Sequence, residues 1–320
     1  MESNEPLDPK KVLDSQTQPV ETTFNARDAI IYALGNKTSH YSLSLWQTSS
    51  SFPTGICYSQ DPLKEEDYKF TYELKDDFTV FPTYGSCVHK IDLFEGLVSC
   101  PGMPKFNPMM LLHGEQRMEF FKPLVPDQQL VSTGKIANIA DKGKGALVTF
   151  EISTYEKKED GTKDLLFINS ISLFIRGLGG FGFKGRPAEV LPKIPTTTPT
   201  KILEQPTKPD QAFIYRLSGD YNPLHVDPNM AAMGGFDKPI LHGLCSYGVI
   251  AKLIVEHYCN NDPTLVQVHH ARFTSHVFPG ETLVVSTWKE GNKVIFSAAT
   301  KERKKEAVVG QIILKEGPKL

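Results

Sequence analysis

The sequence predicts an α+β fold built from two similar halves, each with a helix packed on an antiparallel sheet. An apolar stripe with helical spacing ends at a glycine in both halves, over 25–35 and again over 210–219. Each half also contains runs in which apolar and polar residues alternate, such as 146–152 and 294–298. Such alternation is typical of antiparallel strands with one buried face.

Further elements repeat in the same order. Residues 82–85 and 241–243 each open a helix-like segment. Proline turns at 126–131 and 279–284 each open a strand. The repeat predicts two copies of one architecture within the chain.

The organisation follows from these repeats and from composition. Residues 1–20 are polar and contain proline, so we expect a disordered tail. Residues 21–185 form the first half and 210–317 the second. Between them, 186–209 carries six prolines and little apolar periodicity, which predicts a linker.

Composition excludes several classes of protein. The chain has 320 residues, 40% hydrophobic and 22% charged, as is ordinary for a globular protein. A net charge of −2 gives no indication of nucleic-acid binding. No apolar run reaches the roughly 18 residues that a membrane span needs. Five scattered cysteines without a Cys-x-x-Cys pair indicate a reducing compartment.

The most informative segment is 215–225, which places Asp220, Asn222 and His225 within six residues. The Asn-Pro step inside it predicts a tight turn that brings a carboxylate, an amide and an imidazole together. A carboxylate and an imidazole on one pocket wall suit general acid–base chemistry on water. The alternative is a solvated loop with an unrelated histidine.

Gly243 follows His242 at the predicted start of a long apolar helix. A glycine there offers an uncrowded backbone N–H at the positive end of the helix dipole. Such a donor can stabilise charge that develops on a carbonyl oxygen. The alternative is a plain helix cap.

Other motifs carry less weight. Residues 177–182 match G-x-G-x-x-G, but the chain then enters the linker instead of the helix that a dinucleotide site requires. The histidines lack metal-ligand spacing, so no metal is predicted. Ser218 lacks the Gly-x-Ser-x-Gly elbow of a hydrolase.

The pattern Ser-Gly-Asp-x-Asn-Pro-x-His at 218–225, followed by His-Gly at 242–243, resembles the MaoC-like, hot-dog family. It is most similar to the type 2, (R)-specific enoyl-CoA hydratases, as in the hydratase unit of peroxisomal multifunctional enzyme type 2. The likeness covers roughly residues 20–315. It implies a double hot-dog fold with one continuous sheet, each half wrapped round a long helix.

The resemblance also implies reversible hydration of trans-2-enoyl-CoA to (3R)-3-hydroxyacyl-CoA in fatty-acid β-oxidation. Asp220, His225, Asn222 and Gly243 would carry the reaction in the second half. The first half lacks the motif, so it would bind the acyl-CoA without catalysing. The further residues expected to line the substrate are His113, Gly114, Lys142, Tyr221, Pro223, Leu224 and Phe273.

No cofactor is expected, because coenzyme A is part of the substrate. The last three residues, Pro318, Lys319 and Leu320, resemble a peroxisomal targeting tripeptide, which predicts a peroxisomal location and binding to the import receptor. Hot-dog proteins commonly pair, so a homodimer is expected. Two alternatives remain open: an acyl-CoA thioesterase and a non-catalytic acyl-CoA-binding protein.

Overall fold

A computed structural model describes residues 6–34, 56–58, 65–187 and 189–316. Within these residues, ten strands form one sheet, and every pair of neighbours is antiparallel. The strands are β1 (Val20–Thr22), β2 (Leu111–Phe120), β3 (Leu130–Asp141), β4 (Gly145–Lys157), β5 (Lys163–Arg176), β6 (Lys201–Pro206), β7 (Val266–Phe273), β8 (Thr282–Glu290), β9 (Lys293–Thr300) and β10 (Lys305–Leu314).

The strand order is β1-β3-β4-β5-β2-β7-β10-β9-β8-β6, so each half contributes five neighbouring strands. The halves join where β2 pairs with β7, from Glu115 opposite Arg272 to Glu119 opposite Val268. The prediction of a double hot-dog α+β fold with one continuous sheet is therefore confirmed. Because β2 and β7 are central, side chains from both halves meet at their ends.

The helices are α1 (Pro9–Leu13), α2 (Ala26–Ala33), α3 (Tyr68–Thr71), α4 (Gly85–Val88), α5 (Leu93–Val98), α6 (Gln211–Tyr215), α7 (Pro228–Met233) and α8 (Gly243–Tyr258). Helix α8 has 16 residues and is buried continuously from Cys245 to Val255. It is the long helix that the sheet of the second half wraps. In the part of the chain that the structure describes, no helix is long and apolar enough to cross a membrane.

The first half differs from the prediction of one long helix. Its corresponding segment is a 3-10 turn at Pro82–Tyr84 that continues into α4, followed by the separate helix α5. Lys90 has a φ of 51°, which interrupts a right-handed helix. Asp92 then caps α5 by accepting hydrogen bonds from the amides of Phe94 and Glu95.

The prediction of a disordered tail over 1–20 is wrong for the residues that are described. Asp8 caps α1 with its carboxylate, and Val12 from this helix is fully buried in the core of the first half. Strand β1 pairs with β3. The few apolar residues of this segment, Leu7, Val12, Leu13 and Val20, are scattered among polar ones and give no clear periodic signal, although the burial of Val12 and the main-chain bonds hold the segment.

The predicted linker over 186–209 also contains structure. Its residues 201–206 form β6, which pairs with β8 at the edge of the sheet. Leu203 and Gln205 point inward and are buried, while Pro206 closes the strand. An edge strand tolerates proline because only one side of its backbone needs a partner, so proline content alone was misleading here.

Candidate active site

The loop after α6 takes its shape from its own residues. Gly219 has a φ of 132°, which favours glycine. The Asn222 side chain accepts a hydrogen bond from the Leu224 amide and so caps the 3-10 turn Pro223–His225. The backbone N–H of Asn222 donates a hydrogen bond to a carboxylate oxygen of Asp220 at 3.2 Å.

This geometry changes the expected role of Asn222. The sequence placed Asn222 among the residues that would carry the reaction. In the structure the side-chain oxygen is used as a helix cap, and the backbone N–H is what contacts Asp220. Asn222 therefore shapes the loop that carries the reactive groups.

A second segment approaches the loop from the start of α8. The Ile240 carbonyl accepts a hydrogen bond from His225 Nδ1 at 2.8 Å. The Leu241 amide donates to the Val277 carbonyl at 2.7 Å, which fixes this segment against the strand connection. Because His225 Nδ1 carries the donated proton, its Nε2 is left with a lone pair that can accept a proton.

Asp220, His225 and His242 form a compact cluster. Their ligand-type atoms all lie within 4.8 Å of one another. The rings of His225 and His242 are stacked, with centroids 3.7 Å apart and an interplanar angle of 26°. Burial lowers the pKa of His225, whereas the charge of Asp220 acts in the opposite direction. His225 is thus a neutral imidazole beside a carboxylate, a suitable pair for proton transfer.

The same three side chains also resemble a metal-ligand set, but the stacking does not suit one. An imidazole that binds a metal holds it in the plane of its ring, along the nitrogen lone pair. The planes of two stacked rings do not meet close to the rings. The two histidines therefore cannot both bind one ion without rotating, and the arrangement favours a proton network.

Gly243 is the first residue of α8, and the first amides of a helix have no carbonyl partner within it. A side-chain carbon at this position would lie 3.3 Å from the Phe273 ring. Glycine therefore leaves a gap between the start of the helix and Phe273. A carbonyl oxygen that enters this gap can accept a hydrogen bond from the Gly243 amide.

The first half reaches this site through β2. The His113 ring packs edge-on against Phe273, with centroids 5.0 Å apart. Burial lowers the pKa of His113 to about 4, and the charge of Asp220 partly opposes this shift. His113 is therefore neutral. Gly114 lies at the irregularity between His113 and Glu115, where the pairing of β2 with β5 shifts register.

Lys142 follows β3, which is three strands away from β2, and it lies at the end of the sheet where β2 begins. Asp141 pairs with Ala146, Ala146 with Ile175, and Ile175 with Leu111 at the start of β2. With about 4.8 Å between strands, the offset is roughly 14 Å. Lys142 is exposed in the β3–β4 turn, so its ammonium group is free to meet an extended anionic ligand.

The backbone amides of the glycine-rich segment 177–182 bind a carboxylate of the protein itself and not a nucleotide. The Asp141 carboxylate accepts hydrogen bonds from the amides of Gly143, Gly180 and Gly182. These bonds hold the pKa of Asp141 below its usual value. The protein's own carboxylate fills the position where a phosphate would bind, which explains the motif without a dinucleotide.

The remaining predicted residues lie around the rim. Tyr221 is exposed, with the Arg216 guanidinium 5.1 Å from its ring centroid. Pro223 is exposed and Leu224 is half-buried. Sequence reasoning overlooked His242, which joins the cluster although it had been noted only as the neighbour of Gly243. The spacing within 239–243 gave no sign that its ring would stack on His225.

Comparison with known proteins agrees with this architecture. Residues 23–177 match the family model described as MFE-2 hydratase 2 N-terminal domain, and residues 190–311 match the MaoC like domain. A solved MaoC-like dehydratase from Phytophthora capsici superposes with a TM-score of 0.80 at 33% identity, covering 98% of this chain and 99% of that one.

Two relatives extend the comparison. "Enoyl-CoA hydratase 2, peroxisomal" of Arabidopsis thaliana is 39% identical, over 91% of this chain and 90% of that protein. "Peroxisomal multifunctional enzyme type 2" of Mus musculus is 38% identical, over 87% of this chain but only 37% of that longer protein. With both halves matched and the sheet continuous between them, the chain belongs to the MaoC-like enoyl-CoA hydratase 2 family.

Proposed function

We propose that this protein catalyses the reversible hydration of trans-2-enoyl-CoA to (3R)-3-hydroxyacyl-CoA, as a hydro-lyase of fatty-acid β-oxidation. The observation that carries the proposal is the convergence of Asp220, His225 and the Gly243 amide at one end of β2 and β7. The names and coverage of the relatives agree with this reaction class.

The proposed reaction uses each group for one task. The thioester carbonyl accepts a hydrogen bond from the Gly243 amide, which stabilises the enolate-like charge as water adds to C3. Asp220 and His225 Nε2 hold that water between them. One of the two takes the proton that the water loses and passes it to C2 on the same face, so both groups end the reaction in the state in which they began. The product gains one water molecule in total.

The first half supplies binding rather than chemistry. His113 and Phe273 form an edge-on pair beside Gly243, so they can flank the thioester. Gly114 adjoins His113, and Tyr221, Pro223 and Leu224 border the approach to Asp220. Lys142 at the rim suits a phosphate of coenzyme A, which is an extended anion. Coenzyme A is here part of the substrate.

The test is hydration of trans-2-decenoyl-CoA by the purified protein, followed by loss of the conjugated enoyl absorbance and by chiral chromatography of the product. We expect a (3R) product. Asp220→Asn and His225→Gln should each lower kcat by about 10²–10⁴-fold, with unchanged thermal unfolding. Asp227→Asn is the matched control, since Asp227 only caps α7 seven residues away along the chain.

Other outcomes would redirect the assignment. Release of free coenzyme A would identify a thioesterase. Binding of the enoyl-CoA without turnover would identify an acyl-CoA-binding protein. Full activity of Asp220→Asn or His225→Gln would show that the reaction, if present, uses other residues.

The location and assembly of the protein are further parts of this proposal. Residues 317–320 lie outside the described residues, so the targeting role of Pro318, Lys319 and Leu320 rests on the sequence and on the similarity to peroxisomal relatives. A fluorescent protein ending in these residues should enter peroxisomes through the import receptor, and removal of Leu320 should abolish entry. Light scattering after gel filtration tests the homodimer.

A further inference from the structure

The His242 ring is buried against two other rings at the centre of the cluster. It is 1% exposed. The His225 ring stacks on one side with centroids 3.7 Å apart, and the Tyr215 ring lies 4.9 Å away at an angle of 47°. The Tyr215 hydroxyl is itself 3.6 Å from the Cys87 sulfur. A buried ring that packs against two others has little freedom to rotate.

One hydrogen bond fixes the tautomer of His242. Its Nε2 lies 3.1 Å from the backbone oxygen of Asp220. A carbonyl oxygen only accepts, so Nε2 carries the proton and donates it. The other nitrogen, Nδ1, is buried and has no hydrogen-bond partner among the described residues. The bond ties the main chain of Asp220 directly to the start of α8.

The same short segment also holds His225. Ile240, two residues before His242, accepts the hydrogen bond from His225 Nδ1. The segment 240–242 therefore sets both the main chain of Asp220 and the ring of His225. Because its own position is fixed by the bond from Leu241 to Val277, it forms a rigid support for both groups.

We infer that His242 is the positioning residue of the hydratase site: its N–H fixes Asp220 and its ring fixes the plane of His225, so that both face one water molecule. This inference rests on the proposed function. Positioning of this kind has large kinetic effects, since a misplacement of about 1 Å can cost about 10²-fold in rate. His242 touches neither the water nor the substrate in this role.

The surroundings keep His242 neutral. Burial, followed by the neighbouring His225, lowers its pKa to about 3, although the Asp220 carboxylate and backbone act in the opposite direction; Arg216 lowers it further. A neutral ring can support an imidazolium that forms transiently on His225. A charged ring stacked at the same distance would repel it.

Three variants separate positioning from packing. His242→Phe keeps an aromatic ring for the stack but removes the donor to Asp220. His242→Gln retains an N–H at a similar reach. His276→Phe is the control, because it makes the same chemical change in the second half, among Phe236 and Phe278 and outside the cluster.

We expect His242→Phe to lower kcat by about 10–10²-fold, with KM changed far less and thermal unfolding close to that of the wild type. His242→Gln should recover most of the lost kcat, and His276→Phe should retain wild-type kcat. A wild-type kcat in His242→Phe would overturn the inference, as would a Gln variant that folds but is no more active than the Phe variant.

A second measurement needs no variant to fold. Nitrogen-15 NMR of histidine-labelled protein reports the tautomer of each ring directly. We expect His242 to remain neutral, with the proton on Nε2, over about pH 5 to 8. A proton on Nδ1, or titration near pH 6, would overturn the inference.

Asp220→Asn distinguishes this inference from the proposed function. If Asp220→Asn is inactive and His242→Phe is fully active, the reaction stands and the positioning role fails. If Asp220→Asn retains full hydratase activity, the assignment of the reaction to Asp220 fails, and the positioning role of His242 fails with it; if the wild-type protein hydrates no enoyl-CoA, the proposed function itself fails.

Discussion

Replacement of Gly243 by alanine tests the proposed backbone donor at the start of α8. The added carbon would lie 3.3 Å, 3.4 Å and 3.5 Å from three carbons of the Phe273 ring. The first distance is tighter than ordinary contact, so the ring must move by a few tenths of an ångström. The methyl group then fills the gap that a thioester carbonyl has to enter to reach the amide.

The effects on stability and on activity should differ in size. Alanine favours a helix over glycine by up to about 1 kcal/mol, which offsets the tight contact with the half-buried Phe273. The free energy of unfolding should therefore change by less than about 1 kcal/mol. Loss of one oxyanion donor lowers kcat by about 10²–10³-fold, or about 2.7–4 kcal/mol in the activation free energy.

Gly248→Ala is the matched control in the same helix. There the added carbon would lie 2.5 Å from a side-chain carbon of Ile56 and 2.8 Å from the Tyr32 hydroxyl, deep in the core. Overpacking of this kind costs about 1–3 kcal/mol. We expect lowered stability, with kcat per folded molecule close to that of the wild type.

The assay combines urea unfolding with enoyl-CoA hydration at saturating substrate. Gly243→Ala should be stable and slow, whereas Gly248→Ala should be unstable and fast. If Gly243→Ala hydrates the substrate at the wild-type rate, the Gly243 amide is not the oxyanion donor.

Two further predictions concern pH and ligand binding. Burial lowers the pKa of His89 and of His113 to about 4. Burial and the neighbouring His225 together lower the pKa of His242 to about 3. Each of these histidines therefore binds a proton more readily when the chain is unfolded. The free energy of unfolding should be highest above about pH 6.5 and should fall as the pH drops toward 4. Urea unfolding at several pH values should show a smaller fall for His89→Asn than for the wild type. A wild-type stability that does not change with pH would contradict this prediction. Asp141→Asn weakens the hydrogen bonds that the Asp141 carboxylate accepts from three glycine amides beside Lys142. The KM for enoyl-CoA should therefore rise while kcat changes little. An unaltered KM would contradict a coenzyme A contact at this turn.

The catalytic loop shows how far local sequence reaches. Gly219 adopts its positive φ and Asn222 caps the 3-10 turn through contacts between residues no more than three apart. Such local interactions depend on residue type and spacing, so the pattern at 218–225 predicted a tight turn here, although it did not predict that Asn222 would cap it. The start of α8 at Gly243 was predicted for the same reason.

The first-half helix, the N-terminal segment and the segment between the halves show where that reach ends. Val12 and Leu203 lie in polar or proline-rich surroundings, and both are buried because a distant strand provides the surface. The division of the first-half helix depends on the positive φ of Lys90, a residue type that gives no warning of it.

The sequence by itself determined the two α+β halves through periodicity, and the motif that carries Asp220, His225 and Gly243 determined the fold family through its resemblance to known hydratases. Only the tertiary structure decided that His113, from a strand more than a hundred residues earlier, packs against Phe273 beside Gly243. The stacking of His242 on His225 is likewise seen only in the tertiary structure. These contacts depend on the pairing of β2 with β7 and on the packing of α8 on the sheet, and no local sequence pattern specifies either of these.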